Sequence, residues 1–383
     1  MRLFVLLLTM LLAAVFSPNS VAQTEWHVSE YIEAELPELS RHYRVSLPAD
    51  YQDNSARQYP LLLILDGQRY GDLVAGNARF LSGIGEIPAH VIVAVDAVNR
   101  LRDYTPTDSP DWDGDGGAQQ FMQFLTTQLM PRLTQQYRLD SHKIIWGHSA
   151  AGLYVMHHLY TAPTTFDAYL VNDGSLGWDN QFVATQLEKY LDSPSRPAQY
   201  LYFNNSFLLD DVPDEAKFIA PIKALLNAKA GASLRWDHQN LSDESHASIP
   251  LTGSIKALRA LYAGYRIPEK VVYAGLDAMT LHLSTYRGRL GALTVIPENN
   301  LLDLGFHALQ RTPQESIEVF DYCVSLYPQS LYAFDGLSHA YAATGQTDEA
   351  LRALNQAIEI ATRVNPEELA RLKEQKSALL LNR

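Results

Sequence analysis

Short apolar runs punctuate the first two thirds of the chain, and each predicts a strand. Residues 42–47 read as a strand that ends at Pro48. Residues 61–65, Leu-Leu-Leu-Ile-Leu, are continuously apolar and stop at Asp66-Gly67. Residues 90–96, 143–146, 169–171 and 199–203 repeat the pattern, and 233–236 follows as an edge strand. Runs without polar alternation belong to strands covered on both faces, as in a parallel sheet sandwiched by helices. Helical periodicity fills the gaps at 119–137, 150–160 and 215–230. The alternation predicts an α/β fold with a mostly parallel sheet over residues 23–265.

Beyond about residue 266 strand signals stop and the pattern is helical throughout. Residues 266–295 read as a helical linker. Ser316, Phe320 and Cys323 then recur as Ala350, Leu354 and Ala357, and Leu301, Leu304, Gly305 and Ala308 recur as Phe334, Leu337, Ser338 and Tyr341. The offset is 34 residues in the first set and 33 in the second, so the slip falls in a turn. With small residues where helices must approach, residues 296–383 resemble tetratricopeptide repeats. Two unrelated amphipathic helix pairs are the alternative. Pro366, with Glu367 and Glu368 behind it, opens a final capping helix.

The N-terminus reads as an address. Arg2 precedes an apolar run over residues 3–16, and Ser20-Val21-Ala22 supplies small residues for cleavage after Ala22. Residues 1–22 are therefore expected to be a signal peptide, and the mature protein periplasmic or secreted. The run is short for a span of about 20 residues, and no later stretch suits one. The 383 residues carry 30 basic and 43 acidic side chains, a formal charge of −13. That balance argues against a general grip on nucleic acid or anionic lipid. A 47% hydrophobic composition supports a large core rather than disorder. Cys323 is the single cysteine, so no intramolecular disulfide or multi-cysteine metal site is available.

Candidate chemistry concentrates in Ile144-Ile145-Trp146-Gly147-His148-Ser149-Ala150-Ala151-Gly152. A buried strand, a tight turn flanked by small residues, and a helix form the pattern of a nucleophile elbow presenting Ser149. Ala151 stands where G-x-S-x-G has its last glycine, and Gly152 follows. A plain serine N-cap is the competing reading. On this fold the order is serine, acid, histidine. His246, in the polar loop Asp243-Glu244-Ser245-His246-Ala247-Ser248, is the expected base; His238 lies within the edge strand, and His148, His157 and His158 are too near Ser149. Asp211 is the expected acid, after the strand that ends near Asn204-Asn205, with Asp210 or Glu244 as alternatives. The backbone N–H groups of Ala150 and Gln68 are the expected oxyanion donors.

Several segments then fall in a familiar order: Tyr59-Pro60-Leu61 through Asp66-Gly67, Asn99 with Arg102-Asp103-Tyr104-Thr105-Pro106, Gly116-Gly117-Ala118, the elbow, Asn172-Asp173-Gly174-Ser175-Leu176-Gly177-Trp178-Asp179, and Glu244-Ser245-His246-Ala247-Ser248. Residues 25–265 resemble the esterase family of α/β-hydrolases that includes esterase D, the siderophore esterases and the feruloyl esterases. The resemblance implies an α/β-hydrolase fold, ester hydrolysis without a cofactor, Ser149 as nucleophile and His246 as base. Where the family often has Gly-x-x-Asp/Glu, this chain has Asn204-Asn205-Ser206-Phe207; some siderophore esterases resemble a Ser–His dyad, so the third member stays open.

Asp111, Asp113 and Asp115, in Asp-Trp-Asp-Gly-Asp-Gly, imitate half a calcium loop. Position twelve is Met122 rather than a carboxylate, which favours an acidic turn and no metal. Tyr104, Trp112 and Trp178 are expected on loops at the sheet mouth, lining an acyl pocket or shielding the core. The expected partners are a small-molecule ester and, through the repeats, a protein. An acyltransferase on the same site, and a non-catalytic binding protein, are the rival functions.

Overall fold

The computed structural model describes residues 26–53, 55–109, 114–206, 213–290 and 295–381. The expected signal peptide, Asp111, Trp112, Asp113, Asp210 and Asp211 lie outside them. Strands β1 (Val28–Ile32), β2 (Arg41–Ser46), β3 (Tyr59–Leu65), β4 (Val91–Val95), β5 (Leu139–His148), β6 (Ala168–Asn172), β7 (Gln199–Asn205) and β8 (Leu234–Asn240) form one sheet. Their order is β1-β2-β4-β3-β5-β6-β7-β8. The pairings of β1 with β2 and of β2 with β4 are antiparallel, and every pairing from β4 across to β8 is parallel.

The uninterrupted apolar runs have the cause inferred from the sequence. Leu61, Leu63 and Leu65 enter one core, whereas Leu62 and Ile64 enter the other. Ile145 and its neighbours Ile144 and Trp146 divide the same way. A strand buried on both faces needs apolar residues at every position.

One face is covered by α3 (Ala118–Phe124), α4 (Met130–Gln136), α5 (Ala150–Thr161), α6 (Trp178–Leu191) and α7 (Pro213–Lys229). A single π turn, Leu125–Leu129, joins α3 to α4. The other face carries α1 (Gly67–Gly83) and α8 (Ile249–Leu261). The short α2 (Arg100–Tyr104) lies beyond β4.

The chain continues as α9 (Glu269–Val272), α10 (Leu276–Leu290), α11 (Glu298–Leu309), α12 (Pro313–Leu326), α13 (Leu331–Ala343), α14 (Thr347–Val364) and α15 (Leu369–Leu381). From α11 to α15 each helix packs on the next. Phe320 of α12 lies against Gly305 of α11 and Gly336 of α13, and an added Cβ at either glycine would come within 2.5 Å of its ring. These helices are not tethered apart from the sheet. Met279, Ile296, Leu301 and Phe320 share one core with Ile64, Trp146 and Tyr262. Of the 266–295 segment, residues 266–286 are therefore packed, with Met279, Leu283 and Tyr286 all buried.

Asp108–Ser109 pairs with Gly114–Asp115 in a small two-stranded bridge just before α3. Met122 is buried on that helix. Tyr104 and Trp178 are both buried, and Trp178 donates its Nε1–H to Thr107 Oγ1 at 2.9 Å.

Candidate active site

The elbow is built by steric necessity. β5 must turn into α5 within one residue, and Ser149 takes φ 60°, ψ −121° to do it. A non-glycine residue held at positive φ stores strain, and functional sites are where such strain is retained. Around it the backbones nearly touch. A Cβ on Gly147 would lie 2.5 Å from the Ala151 carbonyl oxygen, and one on Gly152 would lie 2.8 Å from the Cα of Gly174. That second contact explains the shifted motif, since the position that cannot carry a Cβ is 152. Ser149 is braced by its own peptide: its N–H donates to Asn172 at 3.2 Å, and its carbonyl accepts from Ser175 at 3.1 Å and Leu153 at 3.0 Å.

β6 ends beside the elbow, and Asp173 follows it with φ 46°. Its carboxylate is buried and well supplied with donors. Oδ2 accepts from Ser206 Oγ at 2.8 Å and from His246 Nδ1–H at 2.7 Å; Oδ1 accepts from the Ser206 N–H at 3.2 Å. The Asp173 N–H donates to Asn204 Oδ1 at 2.8 Å, and Asn204 donates to Asn172 Oδ1 at 2.9 Å. An imidazole whose Nδ1–H is held by a carboxylate presents its Nε2 lone pair as a base.

Among the described residues the carboxylate paired with His246 is Asp173, which the sequence reading did not select. Asp211 and Asp210 lie outside the described residues. Glu244 is spent locally: it accepts from Ser248 Oγ and Thr252 Oγ1 at the start of α8, and those hydrogen bonds hold its carboxyl below its ordinary value. His238 is turned to Asn205, its Nε2 at 2.8 Å from Oδ1.

His246 sits in the loop between β8 and α8, its side chain 54% exposed. Its ring lies over that of His148, centroids 4.5 Å apart, which sets it beside the elbow. His148 is buried; desolvation, followed by the neighbouring His246, pushes it down to about 4. His148, Asp173 and His246 offer ligand atoms within 4.8 Å of one another, a set that could hold a metal by composition. The same atoms are engaged in hydrogen bonds, with Nδ1 of His246 on Asp173 and both nitrogens of His148 on oxygen partners.

The two expected oxyanion donors occupy helix starts, where backbone N–H groups lack intrahelical acceptors. Ala150 is the first residue of α5 and Gln68 the second of α1. The Gln68 side chain clamps the loop after β4: its Oε1 accepts from the Ala97 N–H at 2.9 Å and its Nε2 donates to the Ala97 carbonyl at 3.0 Å. Asp66, buried at φ 53° before α1, receives Arg100 Nε at 2.9 and 3.0 Å. Burial raises its carboxyl and Arg100 opposes that shift.

Residues 34–189 match the family model described as "Putative esterase". Over 155 residues the chain is 29% identical to the ferri-bacillibactin esterase of Bacillus subtilis, covering 35% of this chain and 53% of that protein. It is 26% identical over 171 residues to the siderophore triacetylfusarinine C esterase of Aspergillus fumigatus, 39% and 56% of the two chains. With the apo-salmochelin esterase of Escherichia coli it shares 31% over 156 residues, 36% and 48%. The chain spans about half the length of these curated relatives. Among solved structures, an IroE-like serine hydrolase from Shewanella oneidensis is similar with TM-score 0.67 and 24% identity, covering 79% of this chain and all of that one. An uncharacterised protein from Capnocytophaga ochracea aligns with TM-score 0.58 and 16% identity, covering 92% of this chain and 99% of that one. The matched segment resembles the esterase family, and the sheet order is that of an α/β fold similar to these structures.

Proposed function

We propose that the protein is a serine esterase that works through an acyl-enzyme. The observation that carries this reading is the Asp173–His246 hydrogen bond of 2.7 Å, set beside a serine held at φ 60°. His246 takes the proton of Ser149 Oγ as that oxygen attacks the ester carbonyl, then returns it to the departing alcohol. Asp173 holds the imidazole in its Nδ1–H form and balances the imidazolium. The Ala150 and Gln68 N–H groups hold the oxyanion, and water releases the acyl group by the same steps.

The relatives act, by their names, on siderophore esters, so the proposed substrates are polyester siderophores. The proposed setting is outside the cytoplasm, after removal of residues 1–22; among the described residues no helix is long and apolar enough to cross a membrane. The C-terminal helices are proposed to be tetratricopeptide-like. Gly305 and Ser338, Ser316 and Ala350, and Phe320 and Leu354 occupy matching buried positions, which supports that reading.

The test is hydrolysis of p-nitrophenyl acetate, a feruloyl ester and a trilactone siderophore by wild type and Ser149→Ala. The expected loss is roughly 10³-fold or more on every substrate that is cleaved. Activity of Ser149→Ala within about tenfold of wild type overturns the mechanism.

A further inference from the structure

One buried group beside the site has no part in the mechanism above. His148 lies at the end of β5, 3% exposed, with a partner on each ring nitrogen. Nε2 is 2.9 Å from the backbone carbonyl of His246, and Nδ1 is 3.0 Å from Tyr70 Oη. A carbonyl can only accept, so Nε2 must carry the proton. A neutral ring then has a lone pair at Nδ1, and the Tyr70 hydroxyl donates to it. Both bonds fit one tautomer of one neutral imidazole.

The chain of contacts joins three elements. Tyr70 belongs to α1, two residues beyond Gln68, and packs edge-on against Trp146 and His148. His148 directly precedes Ser149. The His246 carbonyl belongs to the loop that carries the base. We propose that His148 is a positioning residue: with Tyr70 setting its tautomer, it holds the His246 loop by its carbonyl so that the base stays registered against the nucleophile strand and α1. This inference rests on the esterase reading of the preceding subsection.

The surroundings favour a neutral ring. The titratable and charged groups facing His148 are Tyr70 from α1, Arg100 from α2, Asp173 after β6 and His246 from its loop. Burial is the largest cause holding it uncharged, and the neighbouring His246 acts the same way. A second cation stacked on His246 would oppose the imidazolium that forms there in each turnover. His148 touches no reacting atom and moves no proton in the cycle.

The experiment compares His148→Phe, His148→Gln and Tyr70→Phe with wild type and Ser149→Ala. Each full-length protein is read by kcat and KM on p-nitrophenyl acetate, by the rate of fluorophosphonate labelling at Ser149, and by a melting curve. Phenylalanine keeps the ring and removes the donor; glutamine returns an N–H near the Nε2 position. His148→Phe is expected to lower kcat and the labelling rate by about 10- to 100-fold, with KM within threefold, as misplacement of a catalytic group does. His148→Gln should recover most of that loss, and Tyr70→Phe should lose severalfold. Rescue by glutamine would not follow from a role in packing alone. Wild-type kcat in His148→Phe, or glutamine no better than phenylalanine, overturns the proposal. Should His148→Phe fail to fold, Tyr70→Phe decides, and an unchanged kcat there overturns it equally. If Ser149→Ala hydrolyses as fast as wild type, the esterase reading itself falls and the positioning role falls with it.

Discussion

Asp173 is the residue on which the proposed site turns and the one least visible beforehand. Both Asp173 and Asp211 satisfy the order serine, acid, histidine, and both follow an apolar strand. Spacing alone cannot choose between the ends of β6 and β7. What favours Asp173 in the proposed site has no linear signature: the φ of 46° at Asp173, and Ser206, just past the end of β7, supplying two hydrogen bonds to its carboxylate. An asparagine in its place would offer one weaker oxygen to His246, or turn its NH₂ toward an N–H donor. Asp173→Asn is therefore expected to reduce kcat on the order of 10³-fold while the melting curve stays near that of wild type. Asp210→Asn and Asp211→Asn should each keep kcat within about threefold. A heavy loss in Asp211→Asn with Asp173→Asn active would return the acid to the β7 loop. By contrast, Ser149 and His246 were legible as candidates because their surroundings are local: a strand–turn–helix with small flanks, and a histidine in a loop after the last strand.

At the scale of elements, the parallel strands were legible because double burial forces uninterrupted apolar runs. β1 was not anticipated; its positions alternate in exposure and it pairs only with β2 at the sheet edge. Helix α1 was also missed, since Gly67, Gly71 and several polar residues blur its stripe. The elbow was readable as a pattern, but its sterics were not. The Ala151 carbonyl would meet a Cβ on Gly147 at 2.5 Å, and that oxygen belongs to backbone that cannot swing away. Gly147→Ala should therefore push β5 and α5 apart, costing about 1–3 kcal/mol of stability and displacing Ser149. Denaturant unfolding with a parallel assay of esterase activity measures both. A stable, fully active Gly147→Ala would show that the strand–helix crossing has more room than the structure gives it.

The whole molecule adds terms that no motif carries. His90, His142, His148 and His158 are all buried, and desolvation pushes them down to about 3 or 4. Unfolded, each takes a proton near pH 6.5, so the unfolded chain binds more protons between pH 6.5 and about 3–4, and stability declines as the pH is lowered through that window. The cost at pH 5 is about 2 kcal/mol per imidazole, opposed in part by Asp140, whose carboxyl burial raises to about 6. Melting temperature should drop clearly from pH 7 to pH 5, and His158→Phe should flatten that slope. The helical region was legible as helices and as two matching segments, and its packing on the α/β part was expected because so few repeats have too little core of their own; the face it covers was not legible, because that face is shared with the sheet. Tyr262 of the α/β part contacts Tyr265 and Tyr286, and Arg57, from the loop before β3, lies over the Tyr327 ring of the C-terminal helices at 5.4 Å. Ending the chain at residue 266 would keep every proposed catalytic residue but strip Met279, Ile296, Leu301 and Phe320 from the core around Trp146 and Tyr262. Exposed apolar surface of that kind lowers stability and promotes association. Residues 23–266 should therefore hydrolyse a small ester, yet melt well below the 23–383 chain and scatter light on warming. An unaltered melting curve would mean that the C-terminal helices contribute nothing to the stability of the α/β core, and would leave them as an independent surface for a partner.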